Sequence, residues 1–345
     1  MLLLFNRPQR RHDNISYRRL QPLRLFESNQ ALLARKYRME ERHLKRLCDL
    51  LRSTMGVAEI AHWSVEHENK VLIGLRYPAS DSHQEVVADT MGVCQKTVSN
   101  AVTEFIEALN HPLVVKKFIK CNLGDERFCR SQAAGFARRG LLPNIVGAID
   151  GTYVRLLKPP HFGSQYYCRK PFCALNVLAV VDARGRFTYV NANFPGSVHD
   201  STVYSLSKLR EAFEEGRVPR GFSLLGDSGF TNGSDILTPI RSPRTRQQRR
   251  YNRTHKKMRV IVECTFGRWK GRFKILESKI RLEPEKAAKV VMACAVLHNL
   301  MMDMGIGTRE HLGRRRARIP VPRPDIRDLF LSISVLTVSL TLTTK

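Results

Sequence analysis

Apolar residues recur with helical spacing through residues 31–110. The segment ENKVLIGLRYPAS predicts a short helix that ends before Pro78, because proline has no backbone N–H to donate inside a helix. The segment MEERHLKRLCDLLRSTM predicts another helix. Its apolar face is formed by Leu44, Leu47, Cys48 and Leu51. We therefore expect a helical region over residues 31–110.

Within this region, residues 85–105 (EVVADTMGVCQKTVSNAVTEF) carry the spacing of a helix-turn-helix unit. Ala88 is followed four positions later by Gly92, which in turn precedes Val98 by six. A small residue lets two helices cross closely, glycine takes the turn and a branched residue packs beneath. The alternative is an ordinary helical hairpin with a glycine turn. The second helix would present polar residues that can contact phosphates and base edges, namely Gln95, Lys96, Ser99 and Asn100.

From about residue 144 the spacing changes to short apolar runs that are typical of strands. NIVGAIDGTYVRLL predicts one strand, LNVLAVVDARGRFTYVNANF two strands around a turn near Ala183–Gly185, and FSLLGD a short buried strand. SVHDSTVYSLSKLREAFEEG predicts a helix between the third strand and the fourth. This order favours an α/β layer fold, with a mixed sheet flanked by helices and with the first and fourth strands side by side at its centre.

The C-terminal part predicts two more helices and a tail. MRVIVECTFGRWKGRFKIL carries an apolar stripe formed by Val262, Phe266, Trp269 and Phe273. Residues 285–304 predict a long apolar helix. Residues 305–345 form a tail that is first basic and interrupted by prolines, and then rich in aliphatic residues, Ser and Thr. That end is either an edge strand or an aggregation-prone tail. The Arg-rich residues 1–30 predict a flexible arm, which is either solvated or used for phosphate binding or nuclear targeting.

The charge balance indicates a polyanionic partner. Lys and Arg number 58 against 31 Asp and Glu, which gives a net charge of +27. Nucleic acid is the first expectation and an anionic membrane surface the second. The eight cysteines form no C-x-x-C pair, which argues against a zinc ribbon, and no apolar run reaches the roughly 18 residues of a transmembrane helix. We expect a soluble intracellular protein without a membrane partner.

Four carboxylates lie at the ends of predicted strands, at the start of a predicted helix or beside the buried face of a helix. Asp150 ends IVGAID, Asp227 ends SLLGD and Asp200 begins a predicted helix, while Glu263 borders the apolar stripe of a later helix. If the first and fourth strands are neighbours, Asp150 and Asp227 converge, and such carboxylates repel unless a cation neutralises them. Hard oxygen ligands suit Mg²⁺ or Mn²⁺, and two such ions about 4 Å apart support phosphodiester cleavage.

Each acid also has an ordinary structural explanation. Asp150–Gly151 could form a hairpin turn, Asp200 a helix N-cap and Asp227–Ser228–Gly229 a loop turn. Glu263 could pair with Arg259 one helical turn earlier. The acid-free stretch RSPRTRQQRRYNRTHKKMR is either a solvated loop or a grip on the substrate backbone. Its candidate nucleic-acid contacts are Arg253, Lys256, Lys257 and Arg259.

Five segments in this order resemble the PIF/Harbinger transposase-derived nuclease family of the DDE superfamily: GAIDGTYV, PGSVHDSTVY, LLGDSGF, VECTFGRWKGRFKIL and CAVLHNL. The resemblance implies an RNase H-like catalytic domain over residues 140–304, with Asp150, Asp227 and Glu263 as the catalytic acids. These three and Asp200, a further acid beyond a three-acid scheme, would hold Mg²⁺ or Mn²⁺. Between Asp227 and Glu263 lie 35 residues, a separation common among DDE transposases.

The function that the resemblance implies is hydrolysis of DNA phosphodiester bonds by water that a divalent metal activates. It also implies a Myb/SANT-like partner protein that supplies DNA binding and nuclear import, so the helix-turn-helix unit could contact protein instead of DNA. The expected location is the nucleus, with the cytoplasm as a second one. Two alternatives stay open: a catalytically silent domesticated transposase that acts as a DNA-binding or adaptor protein, and a basic RNA-binding protein.

Overall fold

The computed structural model describes Leu33, residues 36–55 and residues 65–306. The chain divides after Met304, and the helices and strands of the described residues all belong to the unit before that point. The predicted basic arm, and all but the first two residues of the predicted tail, lie outside the described residues. In the described part of the chain, no helix combines the length and apolar character needed to cross a membrane.

Up to residue 110 the described part of the chain is mainly helical, as the spacing predicts, and two further helices between residues 112 and 137 lie beyond the predicted region. One prediction is wrong: the second helix continues through Pro78 to Ser80 and ends on Asp81, whose φ is 55°. Pro78 lies in the last turn, so only the carbonyl of Gly74 loses its partner, and the missing side chain of Gly74 makes room for the ring of Phe105. The helices are α1 (Glu41–Leu51), α2 (His67–Ser80), α3 (Gln84–Met91), α4 (Gln95–Asn110), α5 (Pro112–Phe118) and α6 (Glu126–Ala137).

Helices α3 and α4 form the two arms of the predicted helix-turn-helix unit. Gly92 takes a left-handed conformation with a φ of 66° and donates its N–H to the Ala88 carbonyl. Ala88 and Val98 are buried, as that motif requires. Of the four polar residues predicted to face outward, Ser99 is half-buried and the others are exposed, namely Gln95, Lys96 and Asn100.

Within the described residues, five strands form one sheet in the order β3-β2-β1-β4-β5. β1 is antiparallel to β2 and parallel to β4, which confirms a mixed sheet with the first and fourth strands adjacent at its centre. The sequence does not predict β5, because a strand of two residues is too short to show an alternating pattern. The strands are β1 (Ile145–Arg155), β2 (Ala174–Val181), β3 (Phe187–Pro195), β4 (Ser223–Leu225) and β5 (Ile236–Leu237).

The remaining helices are α7 (Asp200–Ser205), α8 (Lys208–Glu214), α9 (Arg246–Arg272) and α10 (Pro284–Asp303). The prediction of one helix between β3 and β4 is wrong, because Ser207 breaks it and caps α8 by accepting a hydrogen bond from the Arg210 N–H. The basic stretch before Glu263 is not a loop over most of its length. Thr245 and Gln248 form a capping box that starts α9 well before the predicted helix.

Alternating residues of the strands face two different helical layers. Ile149, Leu178 and Val180 pack in a buried cluster with residues of α6, α7 and α8. On the other face, Phe187 lies 5.0 Å from Trp269 of α9 and 5.1 Å from His298 of α10, between ring centroids. The sheet is therefore covered on both sides, as expected of an RNase H-like domain.

Candidate active site

Asp150 lies on β1, and Asp227 lies two residues beyond the end of the neighbouring strand β4. Ala148 pairs with Leu225 across the parallel strands β1 and β4. Asp150 and Asp227 are each two residues further on, and adjacent strands lie about 4.8 Å apart. β1 continues to Arg155, so the hairpin-turn explanation of Asp150 is wrong. Because β4 ends at Leu225, it does not pair with β1 beyond Ala148. Other side chains can therefore approach Asp150 from that edge of β1.

Asp150 is largely buried, with 16% of its side chain exposed. Its Oδ2 accepts a hydrogen bond from Arg259 Nη1 at 3.1 Å, and its Oδ1 accepts one from the Gly151 N–H at 3.0 Å. Burial raises the pKa of Asp150 to about 6, and the nearby charges of Asp227 and Asp200 act in the same direction while Arg259 opposes them. Asp227 and Asp200 are therefore near enough to Asp150 for their charges to act on its carboxyl group.

Asp200 lies against Gly151, the residue that follows Asp150 on β1. A Cβ atom on Gly151 would lie 2.1 Å from Asp200 Oδ1, so the missing side chain of Gly151 makes room for the carboxylate. Asn176, fully buried in β2, donates from Nδ2 to Asp200 Oδ1 at 2.7 Å and to the Val198 carbonyl at 2.8 Å. The N-cap explanation of Asp200 is wrong, because His199 holds that position and Asp200 is the first helical residue. Burial raises the pKa of Asp200, and the Asn176 hydrogen bond opposes this shift.

Asp227 does form the loop turn that its neighbours predict. Its Oδ1 accepts a hydrogen bond from the Gly229 N–H at 2.8 Å, which fixes the carboxylate beyond the end of β4. A cleft of about 630 Å³ opens beside this turn, lined in part by residues 228–232 and by Arg241. One carboxylate oxygen is therefore held in the turn, and Asp227 keeps a second oxygen for a ligand.

Arg259 links the buried acid to the acid on α9. Its Nη2 donates to Glu263 Oε1 while Nη1 donates to Asp150, so the predicted Arg259–Glu263 pair is present. The Arg259 side chain is 18% exposed and that of Glu263 is 51% exposed. Arg259 thus binds two carboxylates. The other predicted nucleic-acid contacts on α9 are exposed: Arg253, Lys256 and Lys257.

The fit of these residues to a metal rests on their chemistry. Within residues 36–55 and 65–306, no three His, Cys, Asp or Glu side chains lie close enough to ligate one ion. The Arg259 guanidinium instead supplies the positive charge beside Asp150. The oxygen donors of Asp150, Asp200 and Asp227 nevertheless suit a hard divalent cation, since their mutual repulsion falls when such an ion binds.

Hydrogen bonds connect the first half of α9 to β5 and to the loop after it. Tyr251 donates its hydroxyl to the Thr238 carbonyl at 2.9 Å, and His255 Nε2 lies 2.9 Å from the Leu237 carbonyl oxygen. Asn252 exchanges two hydrogen bonds with the backbone of Ile240, at 2.9 and 2.8 Å. These bonds hold the basic face of α9 and Arg259 at a fixed distance from the end of β4.

Two residues of this site, Asn176 and Gly151, are not among the site residues predicted from the sequence. Asn176 is the only polar residue in the strand ALNVLAVV, and a lone amide in an apolar run is a signal of a buried polar contact. Gly151 follows Asp150 directly, and its neighbour Asp200 is distant in sequence. Only the folded chain shows which carboxylate occupies the space that Gly151 leaves.

A mixed sheet with one acid on a central strand and a second just after the neighbouring strand, followed by a helix that carries a third acid, defines a DDE-type nuclease domain. Residues 149–299 match the family described as DDE superfamily endonuclease. The chain is 30% identical over 293 residues to "Putative nuclease HARBI1" of Rattus norvegicus, which covers 84% of this chain and 83% of that protein. Identity to the Homo sapiens protein of the same name is 29% over 293 residues, with the same coverage.

A plant relative is more distant. "Protein ALP1-like" of Arabidopsis thaliana is 26% identical over 281 residues, which covers 75% of this chain and 67% of that protein. No solved structure matches the chain significantly. The chain belongs to the Harbinger transposase-derived nuclease family of the DDE superfamily, which confirms the family resemblance of its motifs.

Proposed function

We propose that this protein is a metal-dependent DNA endonuclease in which Asp150, Asp227 and Glu263 are the catalytic acids and Asp200 is a further metal ligand. The observation that carries the proposal is the placement of three carboxylates around one part of β1. Asp150 lies on β1, Asp227 lies two residues beyond the end of the adjacent strand β4, and Asp200 lies against Gly151. Membership of a DDE superfamily endonuclease family supports the same chemistry.

The protein side chains would prepare the site before any DNA arrives. Gly229 and Asn176 orient Asp227 and Asp200 through their N–H groups. Arg259 neutralises Asp150 and holds Glu263 on the same side of the sheet. When bound, Mg²⁺ or Mn²⁺ supplies Lewis acidity toward the scissile phosphate and a nucleophile at neutral pH. Movement of Arg259 away from Asp150 would free both acids for this ion.

Arg259→Met is expected to destabilise the metal-free protein and to increase its response to Mn²⁺. The substitution leaves Asp150 buried without its cationic partner, which costs about 1–3 kcal/mol. Without the guanidinium to compete, Mn²⁺ should raise the melting temperature of the variant more than that of the wild-type protein. Thermal melting with and without Mn²⁺ measures both effects.

The matched control for this prediction is Arg130→Met. It removes a surface pair with Glu126, whose side chain is 55% exposed. Such pairs contribute about 0–1 kcal/mol, so this variant should melt close to the wild-type protein and respond to Mn²⁺ as that protein does. Equal Mn²⁺ responses of Arg259→Met and the wild-type protein would contradict a metal site at Asp150.

The basic first half of α9 is the proposed contact with the DNA backbone. Its exposed Arg and Lys side chains are distributed along the helix in the direction of the acids. A surface depression of about 440 Å³ is lined by Arg246, Gln247, Arg250 and Arg253. The exposed α4 residues Gln95, Lys96 and Asn100, with Ser99, offer a second contact, either with DNA or with a Myb/SANT-like partner. A nuclear location, with the cytoplasm as a second, is part of the same proposal.

The double variant Lys256→Ala/Lys257→Ala is expected to weaken DNA binding and reduce its salt dependence. Each phosphate contact on duplex DNA contributes about 0.9 to the slope of log affinity against log salt, so the slope should fall by about 2. Anisotropy titrations at several salt concentrations measure it. Lys208→Ala removes an exposed cation from α8 in the opposite layer and should leave the slope unchanged. Equal slopes for the double variant and the wild-type protein would exclude these lysines from the interface.

Nicking of supercoiled plasmid tests the proposed activity. We expect conversion to open circles with Mg²⁺ or Mn²⁺, and none with EDTA. The second candidate function is a catalytically silent DNA-binding or adaptor protein. It is favoured by the commitment of Arg259 to both Asp150 and Glu263. Mobility-shift binding without cleavage in either metal would support this candidate and overturn the nuclease proposal.

A further inference from the structure

The loop that connects β1 to β2, residues 156–173, exposes apolar and cationic side chains together. Leu157, Phe162 and Tyr167 are 54%, 74% and 53% exposed. The same loop exposes Lys158, His161, Arg169 and Lys170. No acidic residue occurs between Asp150 and Asp182. Aromatic rings interleaved with cations, without acids, are typical of a surface that binds single-stranded nucleic acid.

The backbone at Phe162 is held in an unfavourable conformation. Its φ is 56° and its ψ is 21°, in the left-handed region that bulky residues avoid. A 3₁₀ turn over Gly163–Tyr166 fixes it, because the Gln165 N–H donates to the Phe162 carbonyl at 3.0 Å. Burial does not explain the ring, which points largely into solvent. Strained residues of this kind cluster at sites that contact ligands.

The connecting loop packs beside the acid cluster. The Ser197 N–H donates to the Gln165 carbonyl at 3.4 Å, shortly before Asp200 in the chain. A Cβ atom on Gly196 would lie 2.9 Å from the Tyr166 carbonyl oxygen, so these two segments are in close contact. Arg169 lies near enough to Asp200 for its charge to lower the pKa of that carboxyl against the effect of burial. A nucleotide on this loop would therefore lie next to the proposed cleavage site.

A cationic cleft of about 490 Å³ leads from Gly151, the neighbour of Asp150, along the base of this loop. The Arg155 guanidinium carbon lies 4.4 Å from the centroid of the Phe172 ring. Lys270 donates to the Tyr153 carbonyl at 2.7 Å. The cleft is lined by Gly151, Thr152, Tyr153, Arg155, Lys170, Phe172, Lys270, Leu276 and Glu277.

The cations of this cleft outnumber its acids. Burial lowers the pKa of Lys270 to about 8, the charges of Lys170 and Arg155 act in the same direction, and the charge of Glu277 opposes them. Glu277 is the acid among the lining residues, and its carboxylate pairs with Lys274. An anion in the cleft would relieve the repulsion among Arg155, Lys170 and Lys270, and the DNA backbone is such an anion.

We propose that the connecting loop and this cleft bind unpaired nucleotides of the DNA substrate next to the scissile phosphate. Arg155, Lys170 and Lys270 bind the backbone phosphates, and the exposed rings of Phe162 and Tyr167 stack on the bases. Paired bases in a duplex hide the faces that an aromatic ring needs, so the preferred substrate is DNA with a gap, bubble or flap beside the cut. The inference deepens the proposed nuclease function and rests on it.

Fluorescence anisotropy in EDTA, where cleavage is blocked, tests this inference. The probes are a labelled DNA duplex and the same duplex with a short single-stranded gap. The wild-type full chain should bind the gapped DNA several-fold tighter. Phe162→Ala should weaken binding to gapped DNA about tenfold, the effect of losing one base stack, and leave duplex binding unchanged. Leu141→Ala, which truncates an apolar residue that is 75% exposed elsewhere, should change neither affinity.

Phe162→Gly separates a loss of binding from a loss of folding. Glycine accepts a positive φ without strain, so this variant should keep or raise the melting temperature of the wild-type protein. It should nevertheless bind gapped DNA as weakly as Phe162→Ala. A Phe162→Gly variant that binds gapped DNA like the wild-type protein would overturn the stacking role of this ring.

The remaining outcomes distinguish this inference from the proposed function. Equal wild-type affinities for gapped and duplex DNA, together with plasmid nicking, would overturn the subsite and leave the nuclease intact. Absence of both DNA binding and nicking would overturn the proposed function itself. Tighter binding to single-stranded RNA than to gapped DNA would overturn the DNA assignment of the subsite in favour of RNA.

Discussion

Asp227→Asn is expected to slow DNA nicking at least about 10³-fold, which corresponds to ~4 kcal/mol of lost transition-state stabilisation. The carboxylate is the acid at the end of β4 and the one whose charge acts on both Asp150 and Asp200. Asparagine has the same shape and keeps an oxygen that can accept the hydrogen bond from the Gly229 N–H. The turn therefore survives while the negative charge needed to hold a divalent ion is lost.

Single-turnover nicking with Mn²⁺ measures this effect, and thermal melting shows that the fold is kept. Glu126→Gln is the control, because it removes one charge from an exposed pair on α6, away from the acids. It should nick DNA at the wild-type rate. Nicking by Asp227→Asn at that same rate would mean that the observed nuclease uses other residues.

Trp269→Ala is expected to lower the free energy of unfolding by about 3–5 kcal/mol. The indole is fully buried, and its ring centroid lies 5.0 Å from that of Phe187 on β3 and 6.4 Å from that of Phe266. Loss of this side chain leaves a cavity between α9 and the sheet. Because α9 also carries Arg259 and Glu263, we expect the variant to lose nicking activity together with stability.

Chemical denaturation compares this variant with two others on the same helix. Trp269→Phe keeps an aromatic ring and removes an indole N–H that has no hydrogen-bond partner among the described residues, so it should cost much less than the alanine variant. Val260→Ala changes a side chain that is 38% exposed and should stay within about 0.5 kcal/mol of the wild-type protein. A loss below about 1 kcal/mol for Trp269→Ala would show that this ring does not anchor α9.

The sheet could be predicted because its strands carry local signals. The apolar runs around Asp150 and Leu225, and the turn near Ala183–Gly185, locate four of the strands, and the order of strands and helices places the first beside the fourth. The apolar stripe of α9 is equally local, and its four predicted residues are all buried. Periodicity over a few residues was sufficient for each of these features.

Other features depend on contacts that are remote in sequence. Pro78 stays inside α2 because it lies in the last turn of a helix that packs against Phe105. Asp200 is placed by Gly151 and Asn176, which belong to two different strands. Arg259 bridges Asp150 and Glu263, an arrangement in which only the second contact is local. Side-chain geometry of this kind has no signature in hydrophobic spacing.

Anomalous diffraction from crystals of the full chain soaked in Mn²⁺ shows whether these acids bind a divalent ion. We expect Mn²⁺ ligated by Asp150 and Asp227, with Arg259 moved away from Asp150 and with Glu263 or Asp200 completing the ligand set. Crystals without Mn²⁺ at these acids, grown from protein that nicks DNA in the same Mn²⁺ concentration, would contradict this expectation.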